Sequence, residues 1–355
     1  MPHLLDLPDL AMTKIVEKLN FIDIQRLRRT SRDLFNFIED SKPDSQLSQI
    51  DLKIERSSVD SSLYFGEENA HLRIEYDVRK NNELTALLWN EGRRSKWQSW
   101  EDSGDQFVEK AVKDLEPILI NQKSKIRQLS IKFHQESHRH EETPESELNE
   151  ISNRFLENFK EHFKAGSGIV KVGHFQTSVM NQEQVSEILP LLDPGSLKSL
   201  SIWNTVLRFS GSPDIFDVRK LAQLEQWKSL EWLCIMNFSV RVPVRTFFHI
   251  ADVYVHYERI TMDMVLEIKK AFLKSPHMIH FKIDYNTEEE NFENSLMRHF
   301  GCHYRDFNQY GRQRKKWFYK IPENSDRVLF ITVDLYRIVY ERNREQNLPE
   351  GIVGE

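Results

Sequence analysis

Cysteine is nearly absent: Cys234 and Cys302 are the only two in 355 residues. Neither sits at a zinc-ligand or disulfide-framework spacing, so a reducing compartment is expected, the cytoplasm or the nucleus. Glycine is scarce as well, with 12 residues. No stretch offers the backbone cradle of a phosphate loop or a dinucleotide-binding turn, and neither a G-x-S-x-G elbow nor HExxH occurs. No apolar run approaches the roughly 18 residues of a membrane-crossing helix. The N-terminus carries acidic residues and lacks the basic region that opens a signal peptide. A net charge of −6 gives no strong pull towards nucleic acid or an anionic membrane. The expectation is a non-catalytic chain with no cofactor, no structural metal, and no nucleic-acid or membrane partner.

Hydrophobic residues make up 39% of the chain, which is long enough for one large domain and a small one. The N-terminal segment organises the reading. Pro8 suits a first helical turn, because its ring fixes a helical φ and its missing N–H would be unpartnered there. Asp9 adds a negative charge at the positive helix end. Met12, Ile15, Val16 and Leu19 recur at i, i+3, i+4 and i+7, one apolar stripe of a helix. After a break at Asn20-Phe21, Ile24 and Leu27 mark a second short helix. Ser31 is placed to cap a third, which carries Leu34, Phe35, Phe37 and Ile38. So short a segment does not enclose that much apolar surface by itself. Some of it must face the rest of the chain or a partner.

Asp6-Leu7-Pro8, Ile15-Val16, Leu19, Ile24, Leu27-Arg28 and a basic helical end at Arg32 together resemble an F-box, over about residues 4–38. Thr30-Ser31 stands where many F-boxes have Val-Cys, and Leu34 where many have Trp. The resemblance implies docking on the Skp-type adaptor of cullin–RING ubiquitin ligases. Its adaptor-binding set would be Leu7, Pro8, Met12, Ile15, Val16, Leu19, Ile24, Leu27 and Arg28.

Residues 41–48 are polar, include Pro43 and read as a linker. Ile50-Leu52-Ile54, Leu63-Phe65, Leu72-Ile74-Tyr76-Val78 and residues 84–88 read as strands, with turns around Gly66 and at Asn81-Asn82. The pattern predicts an antiparallel meander over 48–90 and a charged, Trp-containing loop over 91–104. Residues 106–121 predict a helix. A short pattern then recurs: Ile126-x-x-Leu129-x-Ile131, Leu197-x-x-Leu200-x-Ile202, Leu230-x-x-Leu233-x-Ile235, Ile250-x-x-Val253-x-Val255 and Met278-x-x-Phe281-x-Ile283, with a weaker copy at 169–176. Helical segments at 147–164, 182–192, 216–227 and 261–274 separate the copies. Repeated strand–crossover–strand units build a parallel sheet with right-handed connections. The uneven spacing falls mostly in the range of repeat proteins. The expected fold class is mixed, α+β and α/β: an N-terminal three-helix F-box, a β meander, then a leucine-rich-repeat-like strand–helix stack. An ordinary α/β domain is the alternative.

The segments DLEPILINQKSKIRQLSI, LPLLDPGSLKSLSI, LEQWKSLEWLCI and AFLKSPHMIHFKI resemble the FTH domain, the F-box-associated domain found behind this type of F-box. With SLYFGEENAHLRIEY upstream, the match covers most of 55–290. The organisation expected is an F-box at 1–47, the meander and loop at 48–104, an FTH domain at 105–290, and a C-terminal hairpin and tail at 291–355. Trp317-Tyr319-Ile321 and Val328-Phe330-Thr332-Asp334 would form that hairpin around Pro322-Glu323-Asn324.

The function this implies is the substrate-recognition subunit of a Skp–cullin–F-box ubiquitin ligase. The F-box would hold the adaptor, and through it the cullin and RING subunits, while the C-terminal domain holds a protein target. A scaffold that binds the adaptor without promoting ubiquitination is the alternative. In each repeated strand, period-2 alternation turns the residues between the pattern positions to the other face. That face carries Lys132, Trp203, Trp232, Met236, Tyr254, His256 and Lys282, a composition suited to an interface. The competing reading buries these aromatics under helices. Elsewhere chemistry is thin. His134, His138 and His140, followed by Glu141 and Glu142, include one i, i+4 ligand spacing but lack an apolar partner face, and read as a solvated loop. Arg312-x-Arg314-Lys315-Lys316 could meet a phosphate backbone or a nuclear importer, but reads better as an exposed hairpin edge protected by lysine. Cys234 has no base beside it in sequence.

Overall fold

A computed structural model describes residues 7–66, 70–78, 83–90, 93–103, 106–134, 145–165, 170–205, 213–307, 311, 313–321, 324–344 and 346, and for 70, 83–90, 93–103, 164–165 and 324–326 the backbone alone. No described helix is long and apolar enough to cross a membrane. The chain divides into two compact units, Met1–Leu197 and Lys198–Glu355.

The first unit opens with the three expected helices, α1 (Asp9–Val16), α2 (Phe21–Arg28) and α3 (Arg32–Ser41). Pro8 occupies the N-cap of α1, one position ahead of the first helical residue. Asn20 caps α2 by accepting the Asp23 N–H at 2.9 Å, and Ser31 caps α3 by accepting the Leu34 N–H at 3.2 Å. These caps satisfy donors that the first turn of a helix leaves orphaned. Val16, Ile24 and Ile38 form the core of the helices, with Leu19, Leu27 and Phe37 packed around it.

The helices are held to the sheet of their own unit. Phe21 stacks on Phe65 with centroids 5.0 Å apart and planes 8° from parallel. Gln46 Nε2 donates to the Glu17 carbonyl at 2.6 Å. The segment read as a linker is therefore pinned rather than free. Asp44 accepts the Lys123 N–H at 2.8 Å and the Ser124 N–H at 3.1 Å, and Ser45 Oγ donates to the Ile118 carbonyl at 2.6 Å.

Next come β1 (Leu47–Ile54), β2 (Ser58–Phe65), β3 (Ala70–Val78), β4 (Glu83–Asn90) and β5 (Arg93–Ser103), each antiparallel to the one before. β5 corrects the loop expected over 91–104. The segment lacks apolar alternation, but an edge strand joins through backbone pairing alone and tolerates charge. Then follow α4 (Phe107–Ile120), β6 (Ile126–Phe133), α5 (Glu145–Ala165), β7 (Val172–Val179) and α6 (Gln182–Ile188). β6 lies parallel to β1, with Leu52 opposite Ile131, and β7 lies parallel to β6. The order in this unit is β5-β4-β3-β2-β1-β6-β7. The β6 pattern residues Ile126, Leu129 and Ile131 are buried, as are Val108, Val112 and Leu115 of α4.

The second unit contains β8 (Ser199–Asn204), β9 (Asp214–Phe216), α7 (Glu225–Lys228), β10 (Trp232–Met236), β11 (Phe238–Val240), β12 (Asp252–Ile260), α8 (Met262–Lys274) and β13 (His280–Glu288). After these come α9 (Phe292–Phe300), β14 (Tyr304–Phe307), β15 (Gln313–Ile321), β16 (Asn324–Asp334) and β17 (Arg337–Arg344). Strands β8-β10-β12-β13 are parallel in that order, and β17-β16-β15-β14 continue antiparallel from β13. β9 and β11 form a small separate parallel pair.

The helix expected over 216–227 forms only at its end, as a 3-10 turn at Leu221–Gln223 and then α7. Asp217 Oδ1 takes the Arg219 N–H at 3.0 Å, a local turn that competes with helix. The expected hairpin is present in β15 and β16 but is widened on both sides, and β17 pairs with β13. Its turn at 322–323 and the tail at 348–355 lie outside the described residues.

Candidate functional site

Leu200, Ile202, Leu233, Ile235, Val253, Val255, Phe281 and Ile283, the pattern residues of the second unit, are all fully buried on one face of its sheet. The opposite face is not covered in the same way. Trp203 is 36% exposed, and Trp232, Met236, Tyr254, His256, His280 and Lys282 are all half-buried. In the middle of this face Ser201 and Cys234 are buried, so its cover is partial.

Register fixes the neighbours. Ser199, Trp232, Asp252, His280 and Glu341 stand side by side across five strands. Ser201, Cys234, Tyr254, Lys282 and Val339 form the next row. Trp203 pairs with Met236 at one side of a third row, and His256, Asp284 and Arg337 pair at the other. Polar contacts knit the right-hand part of the patch. Tyr254 donates its hydroxyl to Asp284 Oδ2 at 2.5 Å. Arg337 donates Nε to Asp284 Oδ1 at 2.6 Å and one terminal nitrogen to Oδ2 at 2.9 Å. The Lys282 ammonium lies 3.7 Å from the Tyr254 ring centroid, a cation–π contact.

Electrostatics follow from this geometry. Burial alone would raise the Asp284 carboxyl, but the bonds from Arg337 and Tyr254 outweigh it and hold the carboxyl below its usual range. Burial, with the Arg337 charge behind it, lowers the Lys282 ammonium. Burial pushes the Cys234 thiol up to about 11, so it is no thiolate nucleophile at neutral pH. An open recess of about 340 Å³ adjoins the patch, lined by His256, Asp284, Tyr285, Asn286, Leu335, Tyr336 and Arg337. Lys132 stands half-buried on β6 in the first unit, separate from this set.

Among the helices, the residues expected to bind an adaptor divide. Met12, Val16 and Ile24 are buried, the last two in the core of the bundle, so they shape the surface without presenting themselves on it. Leu19 and Leu27 are half-buried against that core. Leu7 at 38% and Ile15 at 37% remain exposed, as does Pro8. Arg28 lies 4.7 Å over the Phe35 ring and pairs with Glu39 at 2.5 Å. Sequence reading missed Leu10, 70% exposed; its signal was an apolar residue on α1 lying off the stripe. It also missed Asp284 and Arg337, whose contact joins positions 53 apart in sequence.

His134 is exposed, while His138, His140, Glu141 and Glu142 lie outside the described residues. Among the described residues, no group of three His, Cys, Asp or Glu side chains is arranged to hold a metal. Lys315 pairs with Glu293, and Arg314 and Lys316 both reach Asp306, at 2.8 and 2.6 Å. These cations pair with carboxylates of α9 and β14.

A mixed helix-and-strand chain with an apolar-faced helical N-terminus and a partly open sheet face has the layout of a binding protein. Comparison with family models assigns both parts: the F-box domain model matches residues 4–46, and the FTH domain model matches residues 153–302. The chain is an F-box protein with a C-terminal FTH domain. F-box domains bind Skp-type adaptors, which supports adaptor binding in a ligase of the Skp–cullin–F-box type, and no catalytic domain is indicated. No curated protein matches the chain.

Proposed function

We propose that this protein is the substrate-recognition subunit of a Skp–cullin–F-box ubiquitin ligase. The observation that carries the proposal is the set Leu7, Pro8, Leu10, Ile15 and Phe35, left exposed on a helical unit whose core is complete without them. So many exposed apolar side chains on so small a helical unit favour a docking site. The Skp-type adaptor sits there and links the chain to cullin and RING subunits. The FTH sheet face holds the target through Trp203, Trp232, Met236, Tyr254, His256 and Lys282. The chain catalyses nothing itself and raises the effective concentration of a target lysine near the charged E2.

We read the parallel strands β6-β7 and β8-β10-β12-β13 as leucine-rich-repeat-like, on the strength of strands that pair in chain order and bury their pattern residues. Two unpaired cysteines agree with a cytoplasmic or nuclear setting. Leu7→Ala with Pro8→Ala should abolish co-purification of the adaptor and leave the FTH domain folded. A soluble double variant that still binds the adaptor would overturn the assignment. In a reconstituted ligase, a captured target should gain ubiquitin; a captured target that gains none would select the scaffold reading instead.

A further inference from the structure

The FTH face carries polar groups with unused bonding capacity, all on one side of the patch. The Lys282 ammonium is half-buried, yet among the described residues it makes no hydrogen bond or ion pair; its contact is the Tyr254 ring. Arg337 spends Nε and one terminal nitrogen on Asp284 and also meets the Tyr254 hydroxyl, while its side chain stays 42% exposed and open to a further acceptor. His256 Nε2 meets Asn286 Oδ1 at 3.0 Å, while its Nδ1 is shielded from solvent and without a partner. The Asp284 charge attracts Lys282, but the nearby carboxylates make their bonds elsewhere. Asp284 is taken up by Arg337 and Tyr254. Asp252 accepts from His280 Nδ1 at 3.0 Å. Glu341 stands opposite His280, one row away, and forms no ion pair with Lys282.

Beside these groups, the turn between β16 and β17 presents two large apolar side chains. Leu335 is 58% and Tyr336 53% exposed. Tyr336 holds a left-handed backbone at φ 59°, a conformation that bulky residues rarely adopt. Neighbouring contacts sustain it: the Tyr285 N–H donates to the Tyr336 carbonyl at 3.0 Å, and the two rings meet edge to face at 6.3 Å. Strain persists where the surroundings over-determine it, and such places cluster at ligand clamps.

We infer that the FTH face recognises an acidic linear segment of its target, with an Asp or Glu carboxylate seated between Lys282 and Arg337 and a neighbouring bulky apolar residue in the recess walled by Leu335 and Tyr336. The inference rests on the target-receptor reading above and adds the chemistry of the target. Lys282 and Asp284 are two residues apart on β13, about 7 Å along the strand. A carboxylate seated there would meet the Lys282 ammonium and the exposed part of the Arg337 guanidinium. A half-buried cation without an acceptor gains more from a carboxylate than an exposed one does, because screening there is weaker.

The test uses the full chain to select from a phage-displayed library of random linear peptides, with no adaptor or ligase present. Selected peptides should be enriched in Asp or Glu next to Leu, Phe or Trp. Lys282→Met keeps the apolar stem and removes the charge, and should weaken binding of a selected peptide by about tenfold, the scale of one desolvated charge contact. Tyr336→Gly removes the ring and relieves the left-handed backbone, so the turn survives; it should erase the apolar preference and keep the acidic one. Peptides without acidic enrichment, an unchanged peptide set with Lys282→Met, or no selectable peptide would each overturn the inference. A ligase that fails to transfer ubiquitin would leave it standing, because the selection does not depend on transfer.

Discussion

Replacing Leu10 by Ala separates the outer face of the F-box helices from their core. Fully burying a leucine is worth roughly 1.5–3 kcal/mol. Leu10 is 70% exposed, so folding hides only the remaining three-tenths, and its truncation should cost folding under about 1 kcal/mol. The better helix propensity of alanine offsets part of that. If the adaptor covers the exposed seven-tenths, the same truncation removes about 1–2 kcal/mol of binding, roughly five- to thirty-fold in Kd. Ile24 provides the contrast. It is 2% exposed in the centre of the bundle, so Ile24→Ala should destabilise the helices by about 2–5 kcal/mol. The assay is calorimetric titration of each variant with purified Skp-type adaptor, alongside urea unfolding of the same samples. Leu10→Ala should move Kd with little change in the unfolding midpoint, and Ile24→Ala should move the midpoint. An unchanged Kd for Leu10→Ala, and equally for Leu10→Lys, would refute placing the adaptor on this face.

Trp203→Ala should cost folding roughly 1–2 kcal/mol, since its site opens to solvent and leaves no closed cavity, whereas Ile202→Ala next to it should cost about 2–5 kcal/mol; affinity capture read by mass spectrometry should lose the target with Trp203→Ala, and with Tyr254→Ala. A stable Trp203→Ala variant that captures the full target set would reject the sheet face as the binding surface. Asp284 has a folded-state pKa below its unfolded value, so the stability it contributes is present above about pH 4 and is lost as the pH falls through the folded value. Melting temperature against pH should therefore fall less steeply on the acid side for Asp284→Asn than for the native chain, and an identical slope would count against the Arg337–Asp284 contact. Treatment with a chelator should leave the melting temperature unchanged if the segment from His134 to Glu142 holds no structural metal; a clear drop would place a metal there.

Local physics made the parts legible, and long-range pairing made the rest illegible. The three short helices follow from Asn20, Ser31 and the stripe from Met12 to Val16, all within one or two turns. The parallel strands follow from pattern residues such as Leu200 and Ile202, because one buried sheet face imposes a period of two. β5 was misread because a charged edge strand is specified by its partner rather than by its own alternation. The 216–227 segment was misread because Asp217 closes a turn that hydrophobic spacing does not record. The stripe from Trp203 to Lys282 was readable as a face, but its most polar corner was not. That corner depends on β17 returning beside β13, which brings Arg337 to Asp284, and no local signal in either segment announces the pairing.

The alternation along β8, β10, β12 and β13 divides the unit into two nearly independent alphabets. Positions on the buried side spell the fold, and a change there disturbs packing that has no slack. Positions on the open side, such as Trp203, Trp232, Tyr254 and Lys282, stay partly exposed and pack less tightly. Substitutions at Trp203 should be nearly additive with those at Lys282, whereas Tyr254 and Lys282 touch and should be coupled. If the open side holds the target, as proposed above, the chain can exchange its target one residue at a time without passing through an unfolded intermediate. The same scaffold thus supports many readers, each differing from the next by a few letters on a single surface.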